Sequence, residues 1–316
     1  MKTQKIVIAV GAGFLGKNLI EYFQDKDHQL VMLTRGQNEV RHGIQFIHWN
    51  GQSLGNWTKA LEEADVLINL SGKSVDCRYT EANKAEIYGS RLDTTRVLGL
   101  ALIKAKNGPK VWLNAASAAI YRHTEDRAMT EKNGDYGHGF SVDVCQKWER
   151  MFYSFDLPSV RKVALRTTIV LGTEGSAFQP LSQLARVGLG GRQGNGRQMF
   201  SWIHVYDFCR AVDFLIHQNT LEGPVNIGST NPVSNAQLMA TLRASLGIDF
   251  HINLKKWMLE IGALLIRTQP ELVLKSRWID PEKLRLAGFQ WEFPTIDKAV
   301  NDLLVHKLFQ PIQAEI

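Results

Sequence analysis

The chain has 316 residues, enough for one large domain or two that share a core. A hydrophobic fraction of 44% with 22% charged residues describes an ordinary soluble globular protein, and the longest apolar stretch, near 261–266, is far too short to cross a bilayer, so no membrane partner is expected. The net charge of +6 suits an anionic small molecule as well as a nucleic acid, but the basic residues form no run or stripe, so a nucleic-acid partner is not expected.

Strand-like segments are predicted at Ile6 to Val10, Gln29 to Leu33, Ile44 to Ile47, Val66 to Asn69, Val111 to Asn114 and Val163 to Arg166. Helical patterns lie between them, the longest from about Glu81 to Lys106. Such alternation argues for βαβ units and a parallel sheet. From Gly172 the pattern changes: the glycine-rich run GLGGRQGNGRQ leads into FSWIHVYDFCRAVDFLI, and the rest reads as short helices and turns. The expected architecture is an α/β, doubly wound parallel sheet over residues 1–228, with 171–205 contributing to a smaller α+β lobe that spans 229–316 and covers a substrate.

The opening KIVIAVGAGFLGKNLIEYF runs a short apolar strand into Gly11, Gly13 and Gly16 and then into an amphipathic helix. In that context the three glycines read as a dinucleotide-binding turn: Gly11 for the tight exit from the strand, Gly13 for close approach of a pyrophosphate, Gly16 for helix–sheet packing. Phe14 and Leu15 complete the helix start on which the phosphates would sit. At the end of the second strand stand Thr34 and Arg35, where NAD-preferring folds usually place an acid. A guanidinium fork matches phosphate oxygens, so NADP(H) is expected over NAD(H).

GAGFLG after the first strand, INLSG after the fourth and AASAAIY after the fifth resemble the extended short-chain dehydrogenase/reductase superfamily. The segments TEANKAEIYGSRLDTTRVL, CQKWE, VGLGGRQGNGRQMFSWIHVYDFCRA, GPVNIGSTNPVSNAQL and PEKLRLAGFQW resemble, more narrowly, the YfcH-like epimerase family with its small C-terminal domain of unknown function. The resemblance covers nearly the whole chain. It implies a Rossmann-type fold, an NADP(H) site to which Leu70, Ser71, Gly72 and Arg91 also contribute, and a family whose physiological substrate is generally unassigned.

Two departures stand out. Val10 replaces the first glycine of the superfamily's T-G-x-x-G-x-x-G opening. The positions of its usual Tyr-x-x-x-Lys pair, counted back from Trp148 and Glu149, hold Ser141 and Cys145. A serine with no adjacent base cannot act as that tyrosine does at neutral pH. Ser117 matches the superfamily's active-site serine, at the carboxyl end of the fifth strand, and Tyr121 is the nearest surviving phenol; both are candidate catalytic residues. Arg91 is a candidate for a substrate anion, or for pairing with a carboxylate.

In the glycine-rich run, Gly188, Gly190, Gly191, Gly194 and Gly196 are expected to present backbone amides, with Arg192 and Arg197 as forks for phosphate or carboxylate oxygens. Gln198, Trp202 and His204 follow as candidate substrate contacts, although His204 with Asp207 also reads as a brace between lobes. Trp202, Trp257, Trp278 and Trp291 are read foremost as core. Cys77, Cys145 and Cys209 are isolated and read as reduced, mostly packed thiols, and His138, His217, His251 and His306 lack ligand spacing, so no metal is expected. The opening leads straight into a strand with no leader-like segment. The expectation is a cytoplasmic monomer or homodimer, an NADP(H)-dependent reductase, epimerase or dehydratase on a small, possibly anionic or nucleotide-sugar-like substrate. The alternative is a catalytically silent NADPH sensor or partner-docking protein.

Overall fold

Period-two alternation in the first strand sets the layering. Ile6 and Ile8 of β1 (Lys5–Ala9) pack in one apolar cluster, Val7 and Ala9 in another on the opposite face, and all four are fully buried. A strand buried on both faces needs cover on both, which α/β crossovers supply. The computed structural model describes residues 3–9, 13–259 and 275–305.

The further strands of the large sheet are β2 (Gln29–Thr34), β3 (Glu39–Arg41), β4 (Ile44–His48), β5 (Val66–Asn69), β6 (Val111–Ser117) and β7 (Arg161–Thr167). Three short strands follow, β8 (Ile169–Leu171), β9 (Met199–Phe200) and β10 (Trp202–His204). A last sheet strand, β11 (Gly223–Ile227), precedes β12 (Val233–Ser234). The spatial order is β11-β7-β6-β5-β1-β2-β4-β3, parallel throughout except for β3, which runs antiparallel at the edge. Strand order reverses between β1 and β5, so a crevice opens beyond their carboxyl ends.

Helices α1 (Phe14–Gln24) and α5 (Val205–His217) cover one face through Leu19, Phe23, Phe208, Val212 and Leu215. On the other face lie α2 (Glu81–Lys104), with Val97, Leu98 and Ala101, and α3 (Phe140–Tyr153), with Phe152. Each such aliphatic or aromatic side chain contributes roughly 1.5–3 kcal/mol on burial. The long helix starts at a Thr80 cap, whose hydroxyl accepts from Asn83 N, and ends at Lys104, close to the predicted span.

A third cluster joins α4 (Phe178–Leu184), α6 (Asn235–Leu246) and α8 (Ile296–Val305) through Phe178, Trp202, Leu238, Leu242 and Val300. The short helix α7 (Glu282–Leu286) packs instead beside β11. Residues 276–280 run back along the segment between β6 and α3, where Met129 N donates to Trp278 O at 2.7 Å and Asp280 N to Met129 O at 3.0 Å.

The stretch after residue 216, read as short helices and turns, also holds strands: β11 extends the parallel sheet beyond β7, and the short β12 pairs with β9. Strands of two or three residues carry no period, and GPVNI combines glycine and proline, so only pairing with β7 makes it a strand. Among the described residues no helix is long and apolar enough to cross a membrane.

Candidate functional site

The crevice is walled by the start of α1 and the end of β5. Gly13 caps α1 with extended backbone (φ −86°, ψ 162°), no side chain caps the helix, and its first turn carries no acid. The first amides of such a helix lack intrahelical acceptors and carry partial positive charge. Gly16 is buried, Leu15 packs against the sheet, and the Phe14 ring fills the space over Gly172, where a Cβ would lie 2.5 Å from it. Gly11, with Val10 and Ala12, lies outside the described residues.

Opposite, Leu70 N and Ser71 Oγ donate to Ala9 O at 2.9 and 3.1 Å. Ser71 N donates to Asn69 Oδ1, and Asn69 Nδ2 to Asn114 Oδ1 at 2.7 Å, so buried amides pin the ends of β1, β5 and β6 together. At the end of β2, Thr34 Oγ1 accepts from Gly36 N, and Arg35 is exposed, its side chain making no ion pair or hydrogen bond among the described residues. Residues 34–38 contain no acid. An uncapped helix start and a guanidinium without a carboxylate form a donor set that fits a phosphorylated dinucleotide.

Deeper along the sheet edge, Ser117 ends β6, and its Oγ accepts from Ala119 N at 3.2 Å. It also meets the Cys145 thiol, which burial pushes up to about 11 despite the neighbouring Arg91 charge. Among the described residues Arg91 pairs with no carboxylate. Its Nη1 donates to Lys73 O (3.0 Å) and Ile87 O (3.2 Å), and its guanidinium lies over Trp148, 5.1 Å from the ring, and against Gly72. Burial holds Arg91 below its usual range.

Tyr121 is fully buried. Its hydroxyl donates to Asn226 Oδ1 at 2.9 Å and accepts from Arg166 Nη1 at 2.8 Å, and burial pushes its pKa up to about 12. Arg166 in turn makes a bidentate pair with Glu149 (2.8 and 2.7 Å) and donates to the Tyr136 hydroxyl. The phenol is thereby a link in a brace across β6, β7, β11 and α3, because both lone-pair and proton sites are already taken.

The glycine-rich run does not offer its amides outward. Gly191 N donates to Ile252 O and Gly194 N to Leu254 O, while Ile252 N and Leu254 N return bonds to Gly188 O and Arg192 O. A Cβ at Gly191 would lie 2.3 Å from Ile252 O, so close backbone approach explains that glycine. Arg192 and Arg197 are exposed. Gln198 is buried, its Nε2 bonded to Gln193 O, yet it lines a cleft of about 570 Å³ together with His123, Glu125, Asn195, Lys255 and Lys256.

Trp202 and His204 sit inside the protein and reach no open surface. Trp202 Nε1 donates to Asn231 O at 3.1 Å. His204 Nδ1 accepts from Tyr206 N as the cap of α5, the ring stacks on Phe293 at 3.9 Å, and burial lowers its pKa to about 3. The neutral ring then carries its proton on Nε2, 3.2 Å from Asp302 Oδ2. Asp207, fully buried, accepts from Glu292 N and Phe293 N at 2.8 Å and from Arg210, which ties the C-terminal segment to α5. The brace reading of this segment accounts for each of those contacts. Trp257, read as core, is 58% exposed.

Residues 6–228 match the NAD dependent epimerase/dehydratase family, and residues 256–303 match a domain of unknown function, DUF1731. The chain belongs to the NAD dependent epimerase/dehydratase family. Epimerase family proteins of Mycobacterium tuberculosis and Staphylococcus aureus are similar to it, at 31% identity over 302 residues (95% of this chain, 98% of the relative) and 29% over 305 (95% and 99%). The human epimerase family protein SDR39U1, solved with NADPH, superposes with a TM-score of 0.83 at 27% identity, covering 94% of this chain and 98% of that one. A UDP-N-acetylglucosamine 4-epimerase of Methanobrevibacter ruminantium shares the fold, with a TM-score of 0.75 at 18% identity over 96% and 98% of the two chains.

An epimerase domain followed by the domain of unknown function is the arrangement its motifs imply. Within this epimerase-family chain, sequence reasoning passed over Tyr79, His123, Lys255 and Lys256. Tyr79 could have been found as a phenol just before the capped start of α2, at the carboxyl end of β5; the lysines carry no local signal beyond charge.

Proposed function

We propose that the chain binds NADP(H) in preference to NAD(H) across the β1–β5 crevice and works as an oxidoreductase or epimerase on a small anionic substrate. The observation that carries this reading is Arg35, exposed at the end of β2 with no acid in residues 34–38. NADPH in the human relative supports it. Gly13, Phe14, Leu15 and Gly16 would hold the pyrophosphate, Thr34 and Arg35 the ribose phosphate, and Leu70, Ser71, Gly72 and Arg91 would line the crevice toward the nicotinamide. When bound, the nicotinamide ring gives or takes a hydride.

Ser117 orients the reacting oxygen by hydrogen bonding at its Oγ. His123, Lys255 and Lys256 around the cleft, with Arg192 and Arg197 on the adjoining loop, would attract a carboxylate or phosphate of a nucleotide-sugar-like substrate. Tyr121 takes no part in proton transfer, since its hydroxyl is already committed to Asn226 and Arg166. The test is titration of the purified protein with NADPH and NADH, followed by single turnover with carbonyl compounds and nucleotide sugars read by nicotinamide absorbance. Tight NADPH binding and oxidation by one substrate class are expected; absence of NADPH binding overturns the proposal.

One observation favours a second reading. Ser141 and Cys145 occupy the positions of the superfamily's acid–base pair, and Cys145 is buried. A binding protein without turnover would show tight NADPH binding and lasting silence across the substrate panel.

A further inference from the structure

Tyr79 lies immediately before the Thr80 cap of α2, and its ring packs on Phe140, the first residue of α3, with centroids 4.7 Å apart. Its hydroxyl is 3.3 Å from Ser141 Oγ. One turn further along α3, Cys145 meets Ser117 at the end of β6. From α2 the Arg91 guanidinium reaches over the Trp148 ring of α3, 5.1 Å from its centroid, and lies against Gly72 after β5, which places its charge between the two helices, with Cys145 and Tyr79 among the groups that feel it. With Nη1 spent on two backbone carbonyls, its Nε and Nη2 make no hydrogen bond among the described residues. A half-buried phenol, two hydroxyls and a cation with no carboxylate partner therefore converge where ligands enter such sheets.

We propose that Tyr79 is the proton donor of this site, with Ser141 and Ser117 as positioning residues for the reacting oxygen and Arg91 as the cation that stabilises the negative charge formed. The proposal rests on the reading that a nicotinamide dinucleotide occupies the β1–β5 crevice. In the reducing direction the substrate's carbonyl carbon receives a hydride from the reduced nicotinamide, which is oxidised. The C=O π pair moves to oxygen, and that oxygen takes the proton of Tyr79 Oη. The phenolate left behind faces Arg91 and regains a proton from water. Run backwards, the same steps oxidise an alcohol. A neighbouring cation favours the ionised form of a phenol, so Arg91 serves both directions. Tyr121 is excluded from this part by its full burial, and the Cys145 thiol by its burial and its bond to Ser117.

The test uses the full chain with ¹³C-labelled tyrosine ring carbons, the Tyr79 resonance being assigned by loss in Tyr79→Phe, and NADP⁺ as the probe. Calorimetry first measures NADP⁺ binding; no binding by the wild type overturns the dinucleotide reading and this one with it. Where NADP⁺ binds, the Tyr79 resonance is expected to move on saturation while that of Tyr121 stays. The phenol is expected to ionise at about tenfold higher proton concentration in the wild type than in Arg91→Met, the charge coupled to it from α2 having been removed. Tyr79→Phe is expected to keep NADP⁺ affinity within about twofold, since the phenol's task is proton donation. A bound complex with an unmoved Tyr79 resonance, or ionisation of Tyr79 unchanged in Arg91→Met, overturns the assignment of Tyr79 and Arg91 and leaves the dinucleotide reading intact. A Ser141→Ala chain that folds with the Tyr79 shift retained assigns positioning to Ser117 alone and contradicts the role of Ser141.

Discussion

At the β1–β5 crevice the start of α1 is uncapped and the Arg35 guanidinium is exposed, whereas at the β7–β11 edge Arg166, Glu149, Tyr121 and Asn226 bond one another inside the core, with the exposed Tyr136 hydroxyl at its rim. Both regions lie along one sheet, and both hold residues with chemistry to offer. Only the first leaves that chemistry unspent. A buried network whose members are mutually satisfied rigidifies the fold and has nothing left for a substrate. Tyr121 shows the consequence: the phenol nearest Ser117 in sequence belongs to the scaffold, while Tyr79, from a loop, stands at the sheet edge.

The contrast can be broken most severely at the brace. Glu149→Ala strands Arg166 in the core without its carboxylate, and urea unfolding is expected to show a loss of ~3–5 kcal/mol with NADPH affinity little changed. A loss below about 1 kcal/mol would place the pair among surface bridges and dissolve the distinction between the two regions.

The second brace carries a pH signature. The His204 pKa is lowered to about 3 in the fold, below its unfolded value near 6.5, so the unfolded chain binds the extra proton between those limits. Stability from this group is complete above about pH 6.5 and falls by up to ~1.4 kcal/mol per pH unit as pH drops through the window. Denaturation of His204→Asn against wild type across pH 4–7 isolates it, the variant being expected to have the shallower acid limb. Parallel limbs would remove His204 from the brace.

A smaller effect separates the thiols. Burial raises Cys145 to about 11 and holds Cys209 well above the usual thiol range, while Cys77 is half-exposed. Timed alkylation at pH 8 with mass spectrometry is expected to label Cys77 at least ~100-fold faster than either. Rapid labelling of Cys145 would mean that its pocket opens.

The crevice was legible in the sequence because its signals are local: alternation in Ile6 to Ala9, glycines beside a helix start, and a cation at a strand end are all read within a few residues. The brace was not, since Tyr121 and Asn226 are 105 positions apart, nor was the approach of Tyr79 to Ser141, 62 positions away. Composition showed the glycines of 188–196 and their freedom, but not that a neighbouring segment at 252–254 would take up their amides. His204 looked chemical for its ring, and its burial between α5 and the C-terminal segment depends on contacts nearly a hundred residues away, with Phe293.

The reading of the crevice depends most on Arg35, and calorimetric titration of wild type and Arg35→Ala with NADPH and NADH tests it directly. NADPH is expected to bind the wild type at least ~10-fold more tightly than NADH, and Arg35→Ala to weaken NADPH by ~10-fold or more while NADH changes less than about twofold. Equal affinities for the two coenzymes in the wild type, or parallel losses for both in the variant, would contradict it.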